Sequence, residues 1–215
     1  MNQSVETTDG RLDITEERRL ITAAQKGCAV SSHRLIAAHQ DRLHAFVWRM
    51  LRDDHDSDEV CQDAFLRAFS ALAGFDFNFR FSTWLFTIAY RLCLNQMRRR
   101  RDGAGSVDFA TISSSRPNDD HAGTNVGDAV ANSDEARRLK DAIWDAVEDL
   151  APPQRAAVLL FYREQLSCQQ IGKILEMPAA TVKSHLHRAR GRLRDTLSGQ
   201  LVEDWADLRF SSEAG

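Results

Sequence analysis

Residues 167–194, SCQQIGKILEMPAATVKSHLHRARGRLR, read as two short helices about a tight turn. Ser167 can cap the first helix, and Gln170, three residues on, can reach back to complete a capping box. Ile171, Ile174 and Leu175 then share one helix face at spacings of three and four. Pro178 suits the first turn of a new helix, where its missing N–H costs nothing. Val182, Leu186, Ala189 and Leu193 form the apolar stripe of that second helix. Lys183, His187, Arg190 and Arg194 recur at the same spacing on another face. A helix of this kind fits the DNA major groove, with early residues at base edges and cations on phosphates. A solvated basic helix carries the same charges. The cap, the turn and the two stripes taken together favour DNA.

Charge is distributed unevenly. The formal net charge of −3 argues against a blanket nucleic-acid binder. Yet residues 53–63 hold six acids and no Lys or Arg, residues 91–101 hold five Arg and no acid, and residues 183–194 hold five cations and no acid. One acidic face and two basic ones suit a protein with a basic protein partner and an anionic polymer. Cys28, Cys61, Cys93 and Cys168 stand singly, without a CxxC pair, so they read as small core residues of a reducing compartment. The N-terminus has no apolar leader and no stretch approaches the ~18 apolar residues of a membrane span. The expectation is a soluble, cytoplasmic chain with no direct membrane insertion.

The periodicity divides the chain. Residues 1–14 are polar and expected to be disordered. From Thr15 to Arg101 the pattern is helical. One stripe starts with Leu20, Ile21 and Ala24, and a second helix runs through Leu35, Leu43, Phe46, Val47 and Met50. Ser57 precedes Asp58 and Glu59, acids expected in a first turn, where the helix dipole favours them. Val60, Ala64, Phe65, Ala68, Phe69 and Leu72 follow, and Gly74 is expected to end that helix. FDFNFR, residues 75–80, is a connecting loop. Ser82 or Thr83 is expected to cap a helix with the stripe Trp84, Leu85, Ile88, Ala89, Leu92, Cys93 and Met97.

Residues 102–134 hold four Gly, one Pro, six Asp and one Arg, the composition of a flexible acidic linker. As a coil it would span roughly 30 Å on average. Residues 135–197 form a second domain. Leu139, Ile143, Val147 and Leu150 make one amphipathic helix, and Pro152 and Pro153 start another. Residues 198–215 are a tail. No strand pattern occurs, so the fold class is all-α: two small helical domains joined by the linker.

Three strings resemble the sigma factors of bacterial RNA polymerase, in the extracytoplasmic-function group of the sigma-70 family. DDHDSDEVCQDAFLRAF, residues 53–69, resembles the part of region 2 that docks on core polymerase. FRFSTWLFTIAYRLCLNQMRRRR, residues 79–101, resembles the part that melts and reads the minus-ten element. LAPPQRAAVLLFYREQLSCQQIGKILEMPAATVKSHLHRARGRLR, residues 150–194, resembles region 4. Residues 15–101 would then be region 2 and residues 135–197 the helix-turn-helix region 4.

The resemblance implies a task for each surface. Asp58, Glu59, Gln62, Asp63 and Phe65 would meet the clamp helices of the polymerase largest subunit. An acidic helix face is a sound electrostatic mate for a basic helical hairpin, although acidic clusters are more often simply solvated. Phe75, Phe77, Asn78, Phe79, Arg80, Thr87, Tyr90, Arg91, Asn95 and Arg98 would hold the melted minus-ten strand, whose bases need aromatic platforms and cations. Phe86 is a further candidate platform, while Trp84 reads as core. Ala180, Thr181, Lys183, Ser184, His187 and Arg188 would face the minus-thirty-five element, with Arg190, Arg192 and Arg194 as phosphate anchors or solvated cations. The group also implies an anti-sigma factor.

The sequence departs from the family pattern in places. Arg91 stands where Asn is usual, Asn95 where an acid is usual, Gly172 where Ala is usual, and Glu176 where Gly is usual in the turn. Arg is the commoner residue at the place of His185.

A stand-alone helix-turn-helix regulator is the alternative. It explains residues 167–194 but leaves the acidic helix and the aromatic loop without a task. An enzyme is not indicated: His33, His39, His44 and His55 have no metal-ligand pairing with Cys or Glu on one helix face, and no phosphate-cradling Gly loop occurs. No catalytic residue, metal or cofactor is expected.

Overall fold

A computed structural model describes residues 12–103 and 142–197. The expected linker, apart from its first two residues, the tail, and most of the N-terminal segment lie outside them. The described residues are helical throughout, joined by turns and loops. Helix α1 spans Ile14–Gln25, α2 Ala29–Leu51, α3 Asp54–Ser70 and α4 Phe81–Gly103. The described part of α5 covers residues 142–148. Helix α6 spans Pro152–Val158 and runs into a π-helical turn, Leu159–Arg163; α7 spans Cys168–Leu175 and α8 Ala179–Leu197.

Helices α1–α4 make the first domain. Asp13 caps α1 by accepting from the Thr15 N–H at 3.0 Å. The expected stripes are its core: Leu20, Ile21, Leu35, Leu43, Phe46, Val47, Met50, Ala64, Ala68, Leu85, Ala89 and Cys93 are all buried. Phe81 is fully buried and gathers the rings of His39, Phe69, Phe75 and Trp84 at centroid distances of 5.3–6.3 Å. Burying a side chain of this size stabilises by about 1.5–3 kcal/mol. Arg100 fastens the end of α4 to the α2–α3 corner, donating to Asp56 at 2.6 Å and to the Leu51 carbonyl at 3.0 Å.

Three boundaries differ from expectation. Helix α3 starts at Asp54, capped by the Asp53 carboxylate on the Asp56 N–H at 2.8 Å. The Asp53 cap comes four residues before Ser57, so Asp58 and Glu59 sit in the second turn rather than the first. The same helix stops at Ser70 and a separate 3₁₀ turn, Leu72–Gly74, follows. Helix α4 begins at Phe81, one residue before Ser82, because Phe81 is drawn into the aromatic core.

Residues 135–141 of the expected second domain, with Leu139, lie outside the described residues; within them Ile143, Ala146, Val147 and Leu150 come first, and Pro152 and Pro153 stand in the first turn of α6. The π turn closes with the Glu164 N–H on the Leu159 carbonyl at 3.3 Å. The capping box forms as expected, with the Gln170 N–H on Ser167 Oγ and the Ser167 N–H on Gln170 Oε1.

The turn between α7 and α8 carries a left-handed residue that is not glycine, Glu176 at φ 56°. Its N–H and that of Met177 both reach the Gly172 carbonyl. The chain folds back so tightly that a β-carbon on Gly172 would lie 2.6 Å from the Met177 oxygen. The two domains also pack on each other, α4 against α7 and α2 against α6.

Candidate polymerase and nucleic-acid interfaces

The acidic face of α3 is open. Asp58, Glu59 and Gln62 are exposed; Asp63 and Phe65 are half-buried. Asp58 lies 3.2 Å from His44 Nε2, and Asp63 takes Arg67 one turn on at 2.9 Å. Such exposed pairs contribute about 0–1 kcal/mol and leave the carboxylates available to a partner. Phe65 leans on Phe69, with ring centroids 6.4 Å apart. Leu66 was not among the expected contacts, yet it is 68% exposed among these acids. Its place three residues after Asp63 was the available signal. Glu59, Val60 and Asp63 also line a shallow cleft of about 50 Å³ between α3 and α4, opposite Leu92, Asn95 and Arg99. Asn95, expected on the minus-ten surface, thus sits beside the core-binding candidates.

The loop 75–80 and α4 divide the minus-ten candidates into two sets. Phe75 and Tyr90 are 8% and 5% exposed, and Phe86 is buried against Phe46, so none offers a free ring face in this arrangement. Phe77 and Thr87 are half-buried; the Thr87 hydroxyl donates to the Thr83 carbonyl at 2.8 Å. Arg80 is committed inward, donating to Glu17 at 2.7 Å and to the Leu12 carbonyl at 2.9 Å. Asn78, Phe79, Arg91, Asn95 and Arg98 are exposed. Trp84 is half-buried in the aromatic cluster, consistent with a packing role.

Arg80 belongs to a buried polar cluster that sequence reasoning missed. Glu17 and His39 are 2% and 4% exposed. His39 Nε2 stands 3.8 Å from Glu17, beyond hydrogen-bond reach, and both its ring nitrogens lack partners. Burial, reinforced by Arg42 and Arg80, drives the His39 pKa down to about 3. Burial also pushes Glu17 above the ordinary carboxylate range, against the pull of Arg80. Nothing in the polar start of α1 announces a buried acid.

Helix α8 presents two clean faces. Val182, Leu186, Ala189 and Leu193 are at most 2% exposed and seat it on the domain. Ala180, Lys183, Ser184, His187 and Arg188 are exposed on the other side, with Thr181 half-buried. Arg192 and Arg194 are exposed too, whereas Arg190 donates to the Tyr162 hydroxyl at 3.0 Å. Half-buried His185 has its pKa lowered by burial and by Arg188. Among the described residues no cluster of three His, Cys, Asp or Glu is placed to hold a metal ion. No helix among them is long and apolar enough to cross a membrane.

Comparison with known proteins assigns both halves. Residues 35–102 match the model of Sigma-70 region 2, and residues 140–193 match that of Sigma-70, region 4. The chain is 29% identical to the ECF RNA polymerase sigma factor SigW of Bacillus subtilis, across 84% of this chain and 96% of that one. It is 31% identical to the ECF RNA polymerase sigma factor SigE of Mycolicibacterium smegmatis, across 76% of this chain and 60% of that one. Its fold is similar to the sigma factor RpoE of Bartonella quintana, solved with the anti-sigma factor NepR, with a TM-score of 0.62 at 22% identity, across 79% of this chain and 98% of that one. A stand-alone regulator has no use for a region 2. With both regions present in order, the chain belongs to the sigma-70 family and is an ECF RNA polymerase sigma factor, a subunit that directs transcription initiation and not an enzyme.

Proposed function

We propose that three separate surfaces divide the work of initiation. The exposed acids of α3, Asp58, Glu59, Gln62 and Asp63, with Phe65 and Leu66 beside them, dock on the clamp helices of the polymerase largest subunit. The loop 75–80 and the open side of α4 hold the melted minus-ten strand through Asn78, Phe79, Arg91, Asn95 and Arg98. Phe75, Phe77, Arg80, Thr87 and Tyr90 serve that surface from beneath, by fixing the loop and the helix. Helix α8 reads the minus-thirty-five element in the major groove through Ala180, Thr181, Lys183, Ser184, His187 and Arg188. A protein of the anti-sigma class restrains the chain in the cytoplasm, as NepR is found with its RpoE.

The observation that carries the reading is the two-faced α8. Its apolar stripe is wholly buried, and the side chains suited to base edges and phosphates stand together on the open side. The acidic α3 adds the complementary half, since Asp58, Glu59 and Gln62 face solvent.

The test is co-elution with purified core polymerase. Glu59→Lys with Asp63→Lys is expected to abolish association while the melting temperature stays within a few degrees. Loss of promoter use with core association intact would move the docking surface elsewhere.

A further inference from the structure

Helix α1 lies outside residues 35–102, the stretch that matches region 2. Yet α1 and its N-terminal flank grip the segment between α3 and α4 at three places. The Gln25 amide donates to the Leu72 carbonyl at 2.9 Å, at the start of the segment. Arg18 donates to the Phe77 carbonyl at 3.0 Å, in its middle. Arg80, at its end, donates to Glu17 at 2.7 Å and to the Leu12 carbonyl at 2.9 Å. The bonds to Leu72 and Phe77 end on backbone oxygens of the segment, so they fix its path rather than one side chain.

Asn78 and Phe79 stand between the two pinned residues, Phe77 and Arg80. They close a tight turn, with the Phe79 N–H on the Asp76 carbonyl at 3.1 Å and the Asn78 N–H on the Asp76 carboxylate at 2.9 Å. The base of the turn is packed: Phe75 meets Phe77 at 5.3 Å and Trp84 at 5.2 Å between ring centroids. Asn78 and Phe79 themselves remain exposed.

We propose that α1 is a brace for minus-ten recognition: Glu17 and Arg18 are positioning residues that aim Asn78 and Phe79 at the melted strand. The proposal rests on the minus-ten role assigned above to Asn78 and Phe79. Leu20 and Ile21 seat α1 in the core, and packing alone would need only that apolar face. The polar face adds the grip on the loop. Glu17 is 2% exposed, so DNA does not reach it. Its carboxylate takes the Arg80 guanidinium and faces the Phe81 N–H at the first residue of α4. One acid thereby joins α1, the end of the loop and the start of the helix that carries Arg91, Asn95 and Arg98. A turn fixed before the strand arrives loses less conformational freedom on binding, and its base contacts form in one geometry.

The experiment is run-off transcription by core polymerase with the full chain on a promoter library, with base preference scored separately for the minus-ten and minus-thirty-five elements. Arg18→Ala and Glu17→Gln are each expected to lower discrimination among minus-ten bases by about three- to tenfold, a part of what a good base contact supplies. Minus-thirty-five discrimination and core association are expected to stay at the parental level. Because Glu17 is buried, Arg18→Ala is the arm that leaves the fold intact: its side chain is exposed, and its melting temperature is expected to match the parent's. In an Asn78→Ala, Phe79→Ala background, Arg18→Ala is expected to add no further loss. A helix that only stabilises the domain would lower total transcripts evenly and leave base preference unchanged, and that result would overturn the proposal. An even loss by Arg18→Ala with a reduced salt slope, the mark of a phosphate contact, would overturn it too. If Asn78→Ala with Phe79→Ala keeps parental minus-ten discrimination, the role of the loop falls and the brace with it. If that pair lowers discrimination while Arg18→Ala and Glu17→Gln do not, the brace alone falls.

Discussion

The Met177 carbonyl oxygen and Gly172 leave no room for a side chain between them; a β-carbon there would stand 2.6 Å from the oxygen. The neighbour is backbone, so it cannot swing aside. Gly172→Ala would gain up to about 1 kcal/mol of helix propensity and lose more through the forced shift of the turn. The expected net destabilisation of region 4 is about 1–2 kcal/mol. Urea unfolding of the full chain, followed by near-ultraviolet signal, measures it. An unchanged or raised midpoint would show that the turn relaxes freely.

Ser167 and Gln170 close the N-terminus of α7 reciprocally. Ser167→Ala removes the acceptor for the Gln170 N–H and is expected to cost about 1 kcal/mol. Ser167→Asp keeps an acceptor and is expected to retain most of the stability. Equal losses in both variants, read by thermal melting, would deny the cap its role.

His39 makes stability depend on pH. Its pKa is about 3 in the fold and about 6.5 in an unfolded chain. Between those values the unfolded chain binds a proton that the folded chain refuses, so stability falls as pH drops below about 6.5, at up to about 1.4 kcal/mol per pH unit. Glu17, raised by burial, works with the opposite sign above its unfolded value. The comparison must therefore be made between the parent and His39→Gln, with Glu17 kept in both. The parent is expected to lose more stability than the variant between pH 7.5 and pH 5 in urea titrations. Parallel losses would mean that His39 protonates inside the fold.

Side chains on α8 should separate into two kinds. Lys183→Ala or Arg188→Ala, if these residues meet base edges, is expected to cost about 1–3 kcal/mol and to relax preference at one position. Arg192→Ala or Arg194→Ala is expected to weaken binding evenly across sequences and to lower the salt slope by about one. Promoter-variant competition with the reconstituted holoenzyme distinguishes them.

Much of the fold is legible in the sequence because the apolar spacing on α2, α4, α7 and α8 states which face is buried. Ile171, Ile174, Val182 and Leu186 go where their spacing sends them. What spacing cannot convey is the choice between competing caps and the fate of polar groups. Asp53 displaces Ser57 as the cap of α3 because a carboxylate there accepts from the orphan N–H groups equally well and comes earlier in the chain. Glu17 and Arg80 lie 63 residues apart and look solvated when read singly. The same holds for Arg91 and Glu176. Each departs from its family pattern alone, and only the folded chain brings the two departures into contact. Phe75 and Tyr90 read as platforms by residue type, yet their local spacing also fits the core, and the core takes them in this arrangement.

Run-off transcription from a promoter library, with purified core polymerase and the full chain, tests the central claim most directly. Core enzyme alone should start without preference. Addition of this chain should confine starts to promoters sharing two spaced elements, and Glu59→Lys with Asp63→Lys should remove that selectivity. Start sites that stay unselective in the presence of the folded chain would contradict the account.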